Sequence, residues 1–489
     1  MKVLFVYRGA EWLGVEILSA VLQKKGHRTG LLFHPGFGDV EIQSAFLENV
    51  FNIDDHLLLM ANHASPDLIC FSMVTNLYPW ASKLGARIKK MLDVPIIAGG
   101  IHPTVAYERI LSKKIFDAVC VGEGEEAICD VVEAIEQKKS LEGIRNILTP
   151  QGELKDPISL RPLIQDLDAL PFPDKEPFYR AGCFKERLYV MTGRGCPFNC
   201  TYCFNRQYRQ LNAPGKYIRR RSVESVVDEI KYFLLKYPIK EIFFYDDIFS
   251  LDIQWLERFS EIYRKQIALP FKALVHPQTI SAEMAALLAQ AGCVRVDIGL
   301  ESGSERVRQE ILERKVPNQT IIDACRALMD QGIEVCTLNV IGIPGETEQE
   351  LEQTFSLNKL IKPNGIIVST LYPFPGTVIF QKAIAEGYLP GHQVEKVLDG
   401  EGGYKEGTPL RLPHSKAVIA MQTWMPIWLA SPDWLLPLLK RMPPNRFIRW
   451  LSVFFLSTRT NRKLRIKETL RMNWISLRRI RKLIDPFID

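Results

Sequence analysis

Gly193-Arg194-Gly195-Cys196-Pro197-Phe198-Asn199-Cys200-Thr201-Tyr202-Cys203 places three cysteines in one short stretch of a 489-residue chain. Their spacing lets three thiolates, from Cys196, Cys200 and Cys203, converge on one iron–sulfur cube. A [4Fe–4S] cube normally takes four cysteine ligands, so three leave one iron open to a small molecule. A structural zinc site is the second reading. It needs a fourth ligand to close the tetrahedron; Cys183 is the one nearby cysteine, and no histidine lies close in sequence. A disulfide plus a free thiol is the third. It is weakened because Met1-Lys2-Val3-Leu4-Phe5-Val6-Tyr7-Arg8 lacks the longer apolar stretch and cleavage site of a secretory signal.

Outward from this loop, composition sets the frame. The length allows two or three domains, and ten irregularly spaced cysteines do not form a disulfide framework. A reducing cytoplasm is therefore expected. The net charge is +6, and the excess gathers near the C-terminus, at Arg459, Arg462, Lys463, Arg465, Lys467, Arg471, Arg478, Arg479, Arg481 and Lys482. Such a run is either a solvated helical face or an attraction to anionic surfaces. It holds no recognisable RNA-binding module, so no nucleic-acid partner is expected.

Upstream, short apolar runs at 2–7, 67–72, 94–98 and 116–121 alternate with helical patterns at 15–25 and 80–91. This alternation predicts an α/β fold with a parallel sheet, Rossmann-like, over residues 1–150. Several of the runs end in glycine turns, where a ligand beyond the carboxyl ends of the strands approaches the backbone. Prolines at 157, 162, 171, 173 and 177 mark a connector over 151–186. Six further strands, at 188–192, 241–245, 271–275, 294–300, 335–341 and 366–371, are separated by helical patterns that include 222–236 and 304–312. They predict a partial (β/α)6 barrel over 187–385, its chemistry at the carboxyl ends of the strands. The cysteine loop follows the first of them.

The C-x3-C-x2-C loop resembles that of the radical S-adenosylmethionine (radical SAM) superfamily. Pro95-Ile96-Ile97-Ala98-Gly99-Gly100-Ile101-His102-Pro103-Thr104 and Asp117-Ala118-Val119-Cys120-Val121-Gly122-Glu123-Gly124-Glu125 resemble the cobalamin-binding domain fused to many of its members. Leu167-Asp168-Ala169-Leu170-Pro171-Phe172-Pro173-Asp174 resembles the connector of those fusions. The resemblance implies a [4Fe–4S] cluster on Cys196, Cys200 and Cys203, SAM on the open iron, and a corrin ring near Ser72, Thr75, Asn76, Gly99, Gly100, His102, Thr104, Gly122, Glu123 and Gly124. It further implies that Asp246 or Asp247 receives the SAM ammonium, that Glu301 or Ser302 binds the ribose, and that Gly342 and Pro344 wall the adenine. Tyr372-Pro373-Phe374-Pro375-Gly376-Thr377 resembles a loop near the active site. The Asp-x-His-x-x-Gly motif that ligates cobalt has its nearest match at Asp54-Asp55-His56, but Leu59 stands at the glycine position, and His34 and His102 lie outside it. Cobalamin without a protein histidine on cobalt is expected, with the loop at 75–77 near its lower face.

Residues 386–489 read as a helical, Trp-rich and basic region. Trp424, Trp428, Trp434, Trp450 and Trp474 interleave with prolines, and no run reaches the length of a spanning helix. A cap closing the barrel is one reading; a patch lying on the inner face of a membrane is the other. The functional expectation is a cobalamin-dependent methyltransferase acting on a small hydrophobic molecule, with a flavodoxin or ferredoxin as electron donor. The alternatives are radical cyclisation, rearrangement or carbon–carbon coupling and, from another class, a noncatalytic iron–sulfur protein at a membrane surface.

Overall fold

A computed structural model describes residues 1–36, 53–152, 158–403, 407–442 and Phe487. The first unit runs β1 (Lys2–Arg8), α1 (Leu13–Lys24), β2 (Arg28–His34), α2 (Ile53–Ala64), β3 (Leu68–Ser72), α3 (Tyr78–Met91), β4 (Ile96–Gly99), α4 (Ile101–Ser112), β5 (Ala118–Cys120), α5 (Glu125–Glu136) and β6 (Ile147–Leu148). Val3 to Tyr7 are all buried, as in a strand covered by helices on both faces. The strand order is β2-β1-β3-β4-β5-β6, parallel except for β6 on β5. Because β1 pairs with both β2 and β3, the order reverses there, and a ligand crevice lies beyond the carboxyl ends. The apolar runs do not disclose β2. Its Arg28-Thr29-Gly30 start is polar and flexible, and pairing with β1 at seven positions makes it a strand.

The connector is extended but strapped down. Lys175, fully buried, meets Glu11 at 2.5 Å and Glu16 at 2.6 Å. Asp174 accepts hydrogen bonds from Ser19 Oγ (2.6 Å) and Gln23 Nε2 (2.8 Å) of α1. After α6 (Glu176–Ala181) the second unit runs β7 (Arg187–Val190), β8 (Gly193–Arg194), α7 (Phe204–Leu211), β9 (Arg219–Arg220), α8 (Val223–Leu234), β10 (Glu241–Phe244), α9 (Ile253–Gln266), β11 (Phe271–Val275), α10 (Ala282–Ala291), β12 (Cys293–Glu301), α11 (Asn318–Asp330), β13 (Glu334–Ile341), α12 (Glu348–Ile361) and β14 (Gly365–Thr370). Its main sheet, β14-β13-β12-β11-β10-β7, is parallel throughout and unwinds in chain order into an open partial barrel. A two-strand ribbon, β8–β9, stands at the mouth.

The helical pattern over 304–312 folds largely as a π-turn at Val307–Ile311. Arg308 is drawn inward, fully buried, and donates through Nε and Nη2 to the Val316 carbonyl at 3.0 and 2.9 Å. Capturing that side chain opposes regular α-helical spacing. Beyond the barrel come α13 (Val378–Ala385), α14 (Gly391–Leu398), α15 (Ser415–Ala430) and the short α16 (Leu436–Leu439). Trp424 and Trp428 of α15 are buried in one core with Ile341, Ile343, Leu351 and Phe355. The helix therefore caps the β13–β14 side of the barrel. Trp450, Trp474 and the basic run from Arg459 to Lys482 lie outside the described residues.

The end of α14 reaches back to the first unit. Arg109 of α4 grips Asp399 through Nε (3.0 Å) and Nη2 (2.5 Å). A Cβ at Gly400 would fall 2.2 Å from the Thr75 carbonyl, so only glycine lets the two segments close.

Candidate functional site

The cysteine loop leaves β7 over a carboxylate brace. Asp246 Oδ1 accepts from the Thr192 and Gly193 amides (2.8 and 2.6 Å) and from Thr192 Oγ1 (3.0 Å). Burial pushes Asp246 up to about 6 against the nearby Arg220 cation. Asp247 faces the other way. It is exposed at the residue level, accepts from Asn205 Nδ2 at 2.8 Å and from the Gly195 amide of the loop itself, has its carboxyl raised by burial, and its charge reaches Cys196 and Cys203. Both carboxylates thus brace the loop, Asp246 buried at its root and Asp247 beside the cysteines.

All three cysteines are free thiols; Cys200 is buried and the others partly so. Burial pushes Cys196 up to about 11 and Cys203 up to about 12, and each also feels Cys200. Such thiols are poor free nucleophiles, and they become thiolates when a metal displaces their protons. Arg314 Nη1 lies 3.9 Å from Cys200 Sγ, while Nη2 holds the Gly299 carbonyl at 2.9 Å. Among the described residues, no three His, Cys, Asp or Glu side chains converge closely enough to hold a single ion.

Tyr202, between the last two cysteines, donates to Glu301. Glu301 follows a register break in β12 and holds φ at 66°, a strained value for a non-glycine residue. Burial raises its carboxyl and Arg314 lowers it. Ser302 is packed away: fully buried, its Oγ accepts the Ser304 amide at 3.2 Å. Gly342 and Pro344 are buried in a turn whose Gly342 and Ile343 amides donate to Glu346 Oε2 at 2.8 and 3.3 Å. Leu412 and Val418 close over Gly342.

Burial pushes Glu346 up to about 7. A carboxyl raised in the folded state contributes stability that is present below its unfolded value near 4.5 and lost as pH rises through 7. Glu346→Gln is expected to remove that loss. Between pH 5 and pH 8 its urea midpoint should fall less than that of the parent chain, and equal falls would refute the assignment.

On the first unit, the loops at the carboxyl ends of β3 and β4 interlock. The Met73 amide donates to the Gly99 carbonyl at 2.9 Å, and a Cβ at Gly100 (φ 104°) would meet the Met73 carbonyl at 2.7 Å. Thr104 Oγ1 donates to the Gly100 carbonyl (2.9 Å) and accepts the Gly122 amide (3.1 Å), tying two loops together. Thr75 is buried. Asn76 is exposed, Ser72, Gly99 and Gly100 are half-buried, and Ile101 presents an apolar side chain that is 36% exposed. His102 is fully buried against Tyr78, and burial lowers it to about 4. His34 is also buried and lowered to about 3, with Nδ1 accepting the Gly36 amide. Neither ring stands at the crevice surface.

Glu123 does not stand open at the strand end. It meets Arg194 at 2.9 Å and Arg219 at 2.8 Å, both from the second unit. Tyr208 of α7 lies against Gly122, and Leu18 against Gly124. The carboxyl ends of the two sheets therefore face one another, with the cysteine loop at the junction.

Residues 6–132 match the B12 binding domain, and residues 190–357 match the radical SAM superfamily. An uncharacterized methyltransferase of Pyrococcus horikoshii is 31% identical over 333 residues, covering 66% of this chain and 71% of the relative. The chain belongs to the B12-binding radical SAM family. An anaerobic magnesium-protoporphyrin IX monomethyl ester cyclase of Rubrivivax gelatinosus is 24% identical, covering 84% of this chain and 74% of its own. The cobalamin-dependent S-adenosylmethionine radical enzyme OxsB, solved with aqua-cobalamin, shares the fold at a TM-score of 0.65 and 16% identity, over 97% of this chain and 76% of that one. Cofactors of this B12-binding radical SAM enzyme are a [4Fe–4S] cluster, SAM and cobalamin. The residues present fit all three. Mutually interacting thiols sit beside the Arg314 cation with the Asp247 carboxylate next to them, and the first unit offers a half-buried glycine edge with an exposed apolar neighbour, Ile101.

Several of the residues gathered here carry no local signal. Arg314 comes 114 positions after the cysteine it approaches. His276, at the end of β11, stacks on Phe198 of the cysteine loop at 3.6 Å. Arg194 and Arg219 are found only through their contacts across the junction.

Proposed function

We propose that this B12-binding radical SAM enzyme methylates an unactivated carbon of a small hydrophobic biosynthetic intermediate, of the lipid, terpenoid or polyketide kind. The observation that carries the reading is the meeting of the two sheets' carboxyl ends, which sets the open glycine edge of one unit beside the cysteine loop of the other. Together the three cofactors supply a carbon-centred radical and a transferable methyl group. Cys196, Cys200 and Cys203 hold the cluster, and Arg314 offsets their negative charge. Asp247 receives an ammonium group, since its carboxylate lies beside the cysteines and can accept charge-assisted hydrogen bonds. Asp246 braces the loop that carries the ligands. Glu301, oriented by Tyr202, accepts from ribose hydroxyls, while buried Ser302 shapes the turn. Gly342 and Pro344 wall the adenine from beneath α15. Ser72, Asn76, Gly99, Gly100 and Ile101 form the corrin edge. Thr75, His102 and Thr104 support it from beneath, and no histidine reaches cobalt. A flavodoxin or ferredoxin supplies the electron.

The test is anaerobic reconstitution with hydroxocobalamin and methyl-labelled SAM, offered candidate hydrophobic substrates. Label in the product, together with 5′-deoxyadenosine, is the expected result. A product formed without label, alongside 5′-deoxyadenosine, overturns methylation in favour of the cyclisation chemistry named for the Rubrivivax relative.

One surface favours a membrane-proximal substrate. Trp434 and Leu438 are 78% and 62% exposed, and Arg441 follows close in the chain, while Lys440 is paired with Glu352. Exposed aromatic and apolar side chains with a basic neighbour suit the headgroup region of an anionic bilayer. The full chain is expected to co-sediment with anionic liposomes, and Trp434→Ala/Leu438→Ala to sediment less. Equal sedimentation of the two would remove the membrane contact. Among the described residues, no helix is long and apolar enough to cross a membrane.

A further inference from the structure

Four charged side chains cross the junction between the two units. Arg194 stands two residues before Cys196 and donates to Glu123 (2.9 Å) in the loop after β5 and to Glu125 (2.5 Å) at the start of α5. Arg219, its neighbour across the β8–β9 ribbon, reaches the same Glu123 at 2.8 Å and donates to the Ile164 carbonyl of the connector at 2.8 Å. The Ile164 amide returns a bond to Glu123 Oε2 at 2.9 Å. First unit, connector and barrel thus meet at one carboxylate. The side chains of Glu123, Glu125, Arg194 and Arg219 are only 2–16% exposed. Burial would raise Glu123, but the two guanidinium groups hold it below the usual carboxylate range.

This placement matters because both ends of the knot sit next to a cofactor region. On one side, Thr104 Oγ1 links Gly100 to Gly122, the residue before Glu123. On the other, only Gly195 separates Arg194 from the cysteine loop, and a Cβ there would meet the Tyr217 carbonyl at 2.7 Å, so the loop has little room to shift. Buried, multiply bonded ion pairs weigh more in fixing geometry than in net stability.

We infer that the Glu123–Arg194–Glu125–Arg219 knot sets the distance and tilt between the corrin edge and the cysteine loop, with Arg194 as a positioning residue. Resting on the assignment of those two regions given above, the inference concerns their spacing and not their chemistry. Loosening the knot leaves each half able to load its own cofactor but lets the two halves rock. Methyl transfer between them suffers, because a misplacement of about 1 Å costs on the order of 100-fold in rate. Reductive cleavage of SAM, confined to the barrel, is largely spared.

The test uses the full holoprotein, with cob(II)alamin and the reduced cluster as paired electron spins. Their separation is read by pulsed electron–electron resonance. Arg194→Gln and Glu125→Gln are compared with Arg258→Ala, which breaks an exposed pair with Glu224 that is not part of the knot. The inference expects normal iron and cobalt content, a broadened or shifted distance distribution in both junction variants, and no change in Arg258→Ala. A parent-like distribution in Glu125→Gln, whether or not Arg194→Gln loads both cofactors, overturns it. Failure of the parent chain to bind cluster or cobalamin overturns the underlying assignment instead.

Discussion

Alanine at any one of Cys196, Cys200 and Cys203 is expected to strip the cluster and end all 5′-deoxyadenosine formation. A cube held by three thiolates has none to spare. With two, a second iron is exposed and the cluster is no longer retained through purification. Iron should fall from about four per chain towards zero, and the absorbance of the cluster should vanish. The loss is chemical rather than conformational, because the loop has other anchors. Thr201 donates its hydroxyl to the Ile311 carbonyl (2.8 Å) and its amide to the Leu312 carbonyl (3.0 Å). Asp246 holds the root of the loop, and the Cys203 amide donates to the Cys200 carbonyl at 3.2 Å. Circular dichroism of each variant should therefore match the apo form of the parent. A variant that keeps its full iron content and still cleaves SAM would show that the ligand set is wrong.

The second large effect is on stability. Lys175→Met is expected to cost about 3–5 kcal/mol, the range for removing one partner of a buried ion pair. Lys175 and Glu16 side chains are 0% exposed and that of Glu11 is 2% exposed, so water cannot replace the ammonium. Burial already raises the Glu16 carboxyl, and Lys175 is what opposes the rise. Without it, burial holds the Glu16 carboxyl further above its unfolded value. Stability is then present at low pH and lost as pH rises through that raised value. Urea unfolding should accordingly separate variant from parent more at pH 8 than at pH 5. Adding Glu16→Gln to Lys175→Met should recover part of the loss. A change below about 1 kcal/mol at both pH values would mean that the triad is not the clamp described.

The limits of sequence reading here follow from where partners lie along the chain. The cysteine triplet is legible because all three residues fall in one loop. The barrel strands are legible because each is an apolar run bounded by turns. The strand Arg28–His34 is not, since its first three residues carry no apolar signal. Asp246 and Asp247 read alike, and only tertiary hydrogen bonds separate the buried one at the root of the loop from the one beside the cysteines. Glu123 shows a similar gap. Its place after β5 puts it at the carboxyl edge, but its partners Arg194 and Arg219 lie 71 and 96 positions away. The π-turn arises because Arg308 finds acceptors in segments on both sides of it, which periodicity within 304–312 does not encode.

The grip of Arg109 on Asp399 has a consequence for how this protein is born. The two residues are 290 positions apart. At ribosomal rates of about 5–20 residues per second, Arg109 emerges roughly 15–60 s before its partner. The nascent first unit therefore completes its sheet while the C-terminal latch is still unmade. During that interval the loop at Thr75 has no Gly400 against it, and the contact between the two segments forms only after every strand of the barrel has been made.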